Sequence, residues 1–147
     1  MIRNMKIGIA QLNPHVGHMD YNIKQIEDAI KSLSPKQPDL IVFSECVVTG
    51  YPPKDLLTYD GFLLSLHKSV DALVHVSTQY PKTVLCVGTP REEKEKLYNS
   101  ALLIQNGKII GFQDKTHLPN TDVFDEKRYF QSADKQQVFT VAGHRFG

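Results

Sequence analysis

The pattern of apolar and polar residues predicts strands and helices in alternation along the first part of the chain. Residues 5–12 have the pattern of a short strand, and Asn13-Pro14 marks the turn after it. Apolar side chains then recur at steps of three and four residues as far as Leu33, which predicts an amphipathic helix over residues 21–33. Asp20 stands directly before this segment and is a candidate N-cap.

Two further apolar runs are typical of strands buried on both faces. Leu40–Phe43 and residues 83–88 are short and almost continuously apolar, as strands of a parallel sheet are. Residues 44–58 lie between them and contain a Gly-Tyr-Pro-Pro sequence, which predicts a structured loop. A second helix is predicted over about residues 60–80, and its apolar face is formed by Phe62, Leu66, Val70 and Val74.

The second half of the chain predicts a hairpin and one more strand. Asn106-Gly107 separates two apolar runs, residues 101–105 and 108–112, and both turn residues tolerate positive φ. Residues 138–141 begin another strand. This order of elements predicts an α/β fold whose sheet mixes parallel and antiparallel strands.

Composition and charge argue against several classes of protein. Hydrophobic residues make up 41% and charged residues 22%, as in an ordinary globular domain. The net charge of +1 gives no indication of nucleic-acid binding. We find neither an apolar leader nor a run of transmembrane length, so we expect a cytoplasmic protein without a membrane partner. The two cysteines, Cys46 and Cys86, lack C-x-x-C spacing, which argues against a disulfide framework and a metal site.

Two charged residues at predicted strand ends are candidates for chemistry. Glu45 follows the run Leu40–Phe43, where ligands of open α/β sheets bind, and is a candidate general base. Lys115 follows the strand over 108–112 and is a candidate oxyanion stabiliser. From position alone, a solvated surface charge is the better explanation of each. Residues 125–130 are interpreted as a solvated turn, and Asn99-Ser100 is interpreted as a polar pair in an ordinary loop.

Four sequence blocks resemble those of the nitrilase superfamily, the carbon–nitrogen hydrolases. The resemblance runs from about residue 5 to residue 132, and within the superfamily it is greatest to the amidase domains of glutamine-dependent NAD synthetases. The blocks are Asn13-Pro14 with Val16-Gly17, Phe43-Ser44-Glu45 with residues 49–57, Tyr98-Asn99-Ser100-Ala101, and residues 115–120 with 123–130. It implies an α-β-β-α sandwich with a mixed sheet, of which residues 1–147 would form the N-terminal part, without the synthetase domain.

The resemblance also implies a Glu–Lys–Cys mechanism for hydrolysis of the glutamine amide. Glu45 would be the general base and Lys115 the oxyanion stabiliser, while Tyr51, Phe124 and Glu126 would line the glutamine pocket. The family's nucleophilic cysteine follows the lysine block by several tens of residues, whereas no cysteine follows Lys115 here. We therefore expect this chain to be inactive alone.

Neither cysteine of the chain is a good substitute for that nucleophile. Cys46 adjoins Glu45, and adjacent residues of a strand point to opposite faces, so Cys46 should face away from the pocket. Cys86 lies between two apolar residues of a predicted core strand, where a thiol is inert.

The expected partners follow from the same resemblance. They are glutamine, and, through a synthetase domain, ATP with Mg²⁺ and nicotinic acid adenine dinucleotide, in a protein that forms homo-oligomers. We expect no metal or cofactor within residues 1–147. Two alternatives stay open: a stand-alone nitrilase-type amidase that acts on another amide, and a non-catalytic remnant that binds glutamine or a protein partner.

Overall fold

The computed structural model describes residues 4–147, which form two helices and seven strands. The expectation that no leader opens the chain rests partly on residues 1–3, which lie outside the described residues. The helices are α1 (Met19–Leu33) and α2 (Asp60–Ser77), and the strands are β1 (Ile7–Ala10), β2 (Leu40–Phe43), β3 (Val84–Glu93), β4 (Lys96–Gln105), β5 (Lys108–Asp114), β6 (Phe139–Val141) and β7 (His144–Phe146). Short 3-10 turns cover Ser34–Lys36, Lys54–Thr58 and Glu126–Arg128.

Five strands form one mixed sheet in the order β1-β2-β3-β4-β5. The first three are parallel, whereas β4 and β5 each run antiparallel to the preceding strand. Both parallel connections run in the same direction across the sheet through a helix, so right-handed crossovers place α1 and α2 on one face. The expected α/β class with a mixed sheet is confirmed.

The main core lies between that helix layer and the sheet. Every second strand residue faces the helices, and these side chains pack with the apolar faces of α1 and α2 into one cluster. Its fully buried members include Ile26, Ile30, Ile41, Leu66, Leu73, Leu85 and Ile104. The predicted face of α2 is confirmed in this cluster, since Leu66 is buried and Phe62, Val70 and Val74 are partly buried against it.

The opposite face of the sheet is covered only in part by the β6–β7 hairpin. Phe139 and Val141 pack with Leu40, Val84 and Leu103 in a second cluster. A Cβ added at Gly111 would lie 2.5 Å from the ring of Phe139, so this glycine allows the ring to lie directly on β5. Away from the hairpin, Ile9 of β1 remains 77% exposed.

Several predicted boundaries are correct, and others need correction. The strand Leu40–Phe43 and the Asn106-Gly107 hairpin are confirmed, and both turn residues have positive φ. The first helix begins at Met19, so Asp20 is not its N-cap; His18 holds that position without a side-chain hydrogen bond. The second helix ends at Ser77, three residues before the expected end.

A hairpin between β3 and β4 was not predicted. The strand expected over residues 83–88 continues to Glu93, and the strand expected over 101–105 begins at Lys96. Pro90 and the charged residues after it interrupt the apolar pattern, which is why the sequence did not indicate these extensions. The two-residue turn Lys94-Glu95 has positive φ at both positions and is exposed, as a solvated turn should be.

Asn22 of α1 joins the two loops that border the carboxyl ends of β1 and β2. Its side-chain oxygen accepts a hydrogen bond from the His15 backbone N–H (2.7 Å), and its amide donates to the backbone oxygens of His15 (2.8 Å) and Val48 (3.0 Å). The side chain is almost fully buried. These bonds satisfy loop backbone groups that secondary structure does not pair.

We predict that Asn22→Ala lowers the free energy of unfolding by about 1–3 kcal/mol, because buried backbone groups lose their partners. Urea unfolding measures the change. Gln25→Ala is the control, since it removes a half-buried amide from the same helix. An Asn22 variant no less stable than the Gln25 variant would contradict the assigned role.

Candidate active site

The candidate site lies at the edge of the sheet where β2 and β5 end. Glu45 lies in the turn after β2, and Lys115 directly follows β5. Although three strands separate them along the chain, two successive antiparallel pairings turn β5 into the direction of β2. The carboxyl ends of the two strands therefore meet at the same edge, as ligand sites of open α/β sheets require.

Lys115 binds two carboxylates with one ammonium group. Its Nζ donates to Oε1 of Glu45 (2.8 Å) and to Oε1 of Glu126 (3.0 Å). Partial burial lowers the pKa of Lys115, but the hydrogen bonds and charges of the two carboxylates outweigh it, so the net pKa is raised. Lys115 is therefore a fixed positive charge at neutral pH, which is the property that stabilisation of an oxyanion needs.

Glu126 is the buried partner of this pair. It lies in the last 3-10 turn and is only 4% exposed, and its Oε1 also accepts a hydrogen bond from the Tyr51 hydroxyl (2.8 Å). Burial and this hydrogen bond raise the pKa of Tyr51 above its ordinary range, so the phenol remains a donor. Oε2 of Glu126 has no hydrogen-bond partner among residues 4–147.

Phe124 lies beside Tyr51 at the same edge. The two ring centroids are 6.3 Å apart, and Phe124 is 40% exposed. The two rings and Glu126 line a hollow together with Pro52 and Pro53. All five residues singled out from the sequence thus lie at one edge of the sheet, four of them joined by hydrogen bonds.

Asn99 belongs to the same cluster, and its interpretation as a polar residue of an ordinary loop was wrong. It lies within β4 and is 4% exposed, and its Nδ2 donates to Oε1 of Glu45 (2.5 Å). Its backbone oxygen accepts from the Lys115 N–H (2.7 Å). A polar pair inside a strand is the signal that could have indicated this role, but the unrecognised β3–β4 hairpin concealed it.

The reasoning about Cys46 also needs correction. Cys46 does not lie in a strand but in the turn after β2, with a φ of 47°. Its Sγ is buried and lies 3.6 Å from Oδ1 of Asn99, the residue that also binds Glu45. Burial, followed by the charge of Glu45, raises the pKa of Cys46 to about 12, so its thiol stays neutral. Burial likewise raises the pKa of Cys86, which is partly buried in β3.

Gly88 allows the turn that carries Glu45 to lie against β3. A Cβ at this position would lie 2.3 Å from the Ser44 backbone oxygen and 2.8 Å from Cα of Glu45. No side chain fits at such distances without displacing the turn. The position of Glu45, and with it the hydrogen bond from Asn99, therefore depends on Gly88 of β3.

Arg91 and Ser100 fix the end of β5 next to Lys115. The guanidinium of Arg91 forms a two-point ion pair with Asp114 (3.1 and 2.7 Å) and lies 3.9 Å over the ring of Phe112. The Ser100 hydroxyl donates to the same carboxylate. Paired, bidentate contacts of this kind restrict the backbone on which Lys115 is mounted.

A family model matches nearly the whole of the described chain. The model of the carbon–nitrogen hydrolase family matches residues 6–147. The chain belongs to the carbon–nitrogen hydrolase family. The match begins just before β1 and takes in every residue of the site.

Curated relatives of this carbon–nitrogen hydrolase chain are longer proteins. The glutamine-dependent NAD(+) synthetase of Acinetobacter baylyi is 35% identical over 147 residues, which are 99% of this chain and 26% of that protein. The synthetase of Aquifex aeolicus is 36% identical over 141 residues, or 96% of this chain and 24% of that protein. The chain thus spans about a quarter of the length of these synthetases.

Solved structures give the same fold. The glutamine-dependent NAD+ synthetase of Acinetobacter baumannii, solved with ADP, superposes with a TM-score of 0.86 at 34% identity over 97% of this chain and 27% of that one. A variant of the Nesterenkonia amidase, from the nitrilase superfamily, superposes with a TM-score of 0.85 at 19% sequence identity, over 99% of this chain and 55% of that one. The expected nitrilase-type fold is confirmed, and this chain covers part of it.

Two further findings concern metal ions and membranes. Within residues 4–147, no group of three or more His, Cys, Asp and Glu side chains is placed to hold a metal ion. In the same range, neither helix is long and apolar enough to cross a membrane.

We predict that Gly88→Ala lowers the free energy of unfolding by about 1–3 kcal/mol, because the added methyl group displaces the turn at residues 44–46. Gly61→Ala at the start of α2 is the control, since its Cβ meets nothing within 4 Å and the change should not destabilise the helix. Urea unfolding compares the two. Equal stability of both variants would show that the turn can move away without cost.

We also predict that Cys46 resists alkylation by iodoacetamide at pH 8 in the folded protein, because the thiol is buried and its pKa is about 12. Peptide mapping by mass spectrometry measures labelling of each cysteine. Unfolding in urea should make Cys46 react fully. Rapid labelling of the folded protein at Cys46 would contradict the described burial.

Proposed function

We propose that this chain forms the front part of a glutamine-hydrolysing amidase domain that supplies ammonia to an NAD synthetase. The observation that carries the proposal is the contact between Glu45 and Lys115 (2.8 Å) at the carboxyl edge of the sheet, beside buried Glu126. A carboxylate base and a permanent ammonium within one hydrogen bond can handle a proton and an oxyanion in the same reaction.

The synthetase relatives support glutamine as the amide. Sequence identity to the glutamine-dependent NAD(+) synthetases compared is 25–36%, against 19% to the Nesterenkonia amidase. The low identity to the amidase supports only the fold. The synthetase assignment therefore takes precedence over a stand-alone amidase.

In the proposed reaction, Glu45 takes the proton from a cysteine thiol, and the thiolate attacks the side-chain amide carbon of glutamine. The carbonyl π electrons move to oxygen, and the resulting oxyanion is stabilised by the Lys115 ammonium. When the intermediate collapses, the C–N bond breaks and the nitrogen receives the proton from Glu45. Ammonia leaves, and the acyl group remains as a thioester.

Hydrolysis of the thioester repeats these roles with water. Glu45 takes a proton from water, hydroxide attacks the thioester carbon, and Lys115 again stabilises the oxyanion. The C–S bond breaks, the thiolate regains the proton from Glu45, and glutamate leaves. Neither a metal nor a redox partner is needed for the balance of these two steps.

Three residues would form the glutamine pocket next to this pair. Tyr51 and Phe124 present ring surfaces, while the buried carboxylate of Glu126 supports Tyr51 from within the protein. Oε1 is already occupied by Lys115 and Tyr51, so these contacts hold the carboxylate in one orientation. We propose a supporting role in substrate binding for all three residues.

The nucleophile would come from a part of the native protein that follows residue 147, since neither Cys46 nor Cys86 presents a reactive thiol at the site. We therefore expect the 147-residue chain to be inactive alone. In the native protein, ammonia would pass to a synthetase domain that amidates ATP-activated nicotinic acid adenine dinucleotide. We place ATP and Mg²⁺ there, and expect a cytoplasmic homo-oligomer.

We predict that the native-length protein releases ammonia from glutamine and that Glu45→Gln lowers this rate by at least about 10²-fold, because the general base is lost. Coupled glutamate dehydrogenase measures ammonia. Glu95→Gln is the control, as it neutralises an exposed glutamate in the β3–β4 turn. The 147-residue chain should release none.

Other outcomes would redirect the assignment. Turnover by the 147-residue chain would show that one of its own cysteines is the nucleophile. Hydrolysis of another amide, but not glutamine, would favour the stand-alone amidase. Glutamine binding without any ammonia release would favour the non-catalytic remnant.

A further inference from the structure

Asn99 contacts three residues of the site from a single buried position in β4. Its Nδ2 donates to Oε1 of Glu45 (2.5 Å), and its Oδ1 lies 3.6 Å from the Sγ of Cys46. Its backbone oxygen accepts from the Lys115 N–H (2.7 Å). One residue thus ties the turn after β2 to the end of β5.

The contacts of Glu45 divide its two carboxylate oxygens into different roles. Oε1 accepts hydrogen bonds from both Asn99 and Lys115, whereas Oε2 accepts none from residues 4–147. An oxygen that already accepts two donors is the weaker proton acceptor of the pair. Oε2 is therefore the oxygen available to take a proton.

We propose that Asn99 is a positioning residue for Glu45, which holds Oε1 against Lys115 and leaves Oε2 as the basic oxygen that receives the proton. This inference rests on the proposed amidase function. Asn99 itself would touch neither glutamine nor the nucleophile, because the residue is only 4% exposed and its carboxamide is bonded to Glu45 and Cys46.

Cys46 orients the carboxamide of Asn99. A neutral thiol donates to a carbonyl oxygen, so Oδ1 faces Cys46 and Nδ2 must face Glu45. Burial keeps the thiol protonated, since it raises the pKa of Cys46 to about 12. A cysteine that is unsuited to attack an amide thus has a structural function as a donor.

The arrangement is also fixed from the backbone side. Asn99 pairs with Pro90 of β3 in the antiparallel register, and Gly88 of the same strand allows the turn with Glu45 to approach. The carboxamide therefore has little freedom to follow a displaced Glu45. Loss of its Nδ2 donor would leave Glu45 held by Lys115 alone.

The test uses the native-length protein with Asn99→Ala and the nearly isosteric Asn99→Asp, which replaces the donor with a second oxygen. We expect kcat for ammonia release to fall by about 10- to 100-fold in each, because a small displacement of a reacting group has this cost. KM for glutamine should stay within about twofold, since no substrate contact is lost. Asn4→Ala, an exposed asparagine before β1, is the control.

A second comparison separates positioning from a general structural role. Glu45→Asp shortens the base by one methylene and removes its contact with Asn99 while leaving a carboxylate. In that background, Asn99→Ala should lower kcat by less than about threefold, because the interaction is already absent. The same factor in both backgrounds would overturn the positioning role, as would Asn99 variants with unchanged kcat.

The two proposals fail in distinguishable ways. A wild-type protein that releases no ammonia from glutamine would overturn the amidase function and the positioning role with it. An active wild type whose Asn99 variants lose affinity for glutamine at constant kcat would overturn only the positioning role, since Asn99 would then act on the substrate. Circular dichroism and thermal unfolding confirm that each variant is folded.

Discussion

The ammonium of Lys115, shared between two carboxylates, is the interaction on which the rest of the site depends. Glu126 is nearly inaccessible to solvent, and a buried carboxylate is costly unless a cation and hydrogen bonds compensate it. Lys115 supplies the cation and Tyr51 a further donor. Because Lys115 binds Glu45 at the same time, the end of β5, the turn after β2 and the last 3-10 turn are held together.

The sheet explains how these three segments come to meet. Two right-handed crossovers bring β1, β2 and β3 side by side, and two hairpins then return the chain so that β5 ends where β2 ends. The β3–β4 hairpin extends past the site and supplies Asn99 at its floor and Arg91 at its side. The proposed catalytic groups on strand ends and adjacent turns are thus supported by a rigid layer beneath them.

The polar network is asymmetric, and this asymmetry matters for chemistry. Each of Glu45 and Glu126 uses one carboxylate oxygen for structural contacts and presents the other without a described partner. Such an arrangement orients both carboxylates, and because Glu45 is partly exposed whereas Glu126 is buried, it leaves Oε2 of Glu45 available for a proton. Buried, fully positioned donors and acceptors act without reorganisation during a reaction, which is how preorganised sites lower barriers.

The sequence by itself determined the α/β class, the strand Leu40–Phe43, the Asn106-Gly107 hairpin and the five site candidates. These follow from local signals: apolar periodicity, turn residues with positive φ, and motif blocks with family-like spacing. Only the tertiary structure decided the contacts of Asn99, Cys46, Gly88 and Asn22, because each of them meets a segment that is distant along the chain. The β3–β4 hairpin escaped sequence analysis for a related reason: its ends are polar and stabilised by pairing across the strands, which no local apolar pattern records.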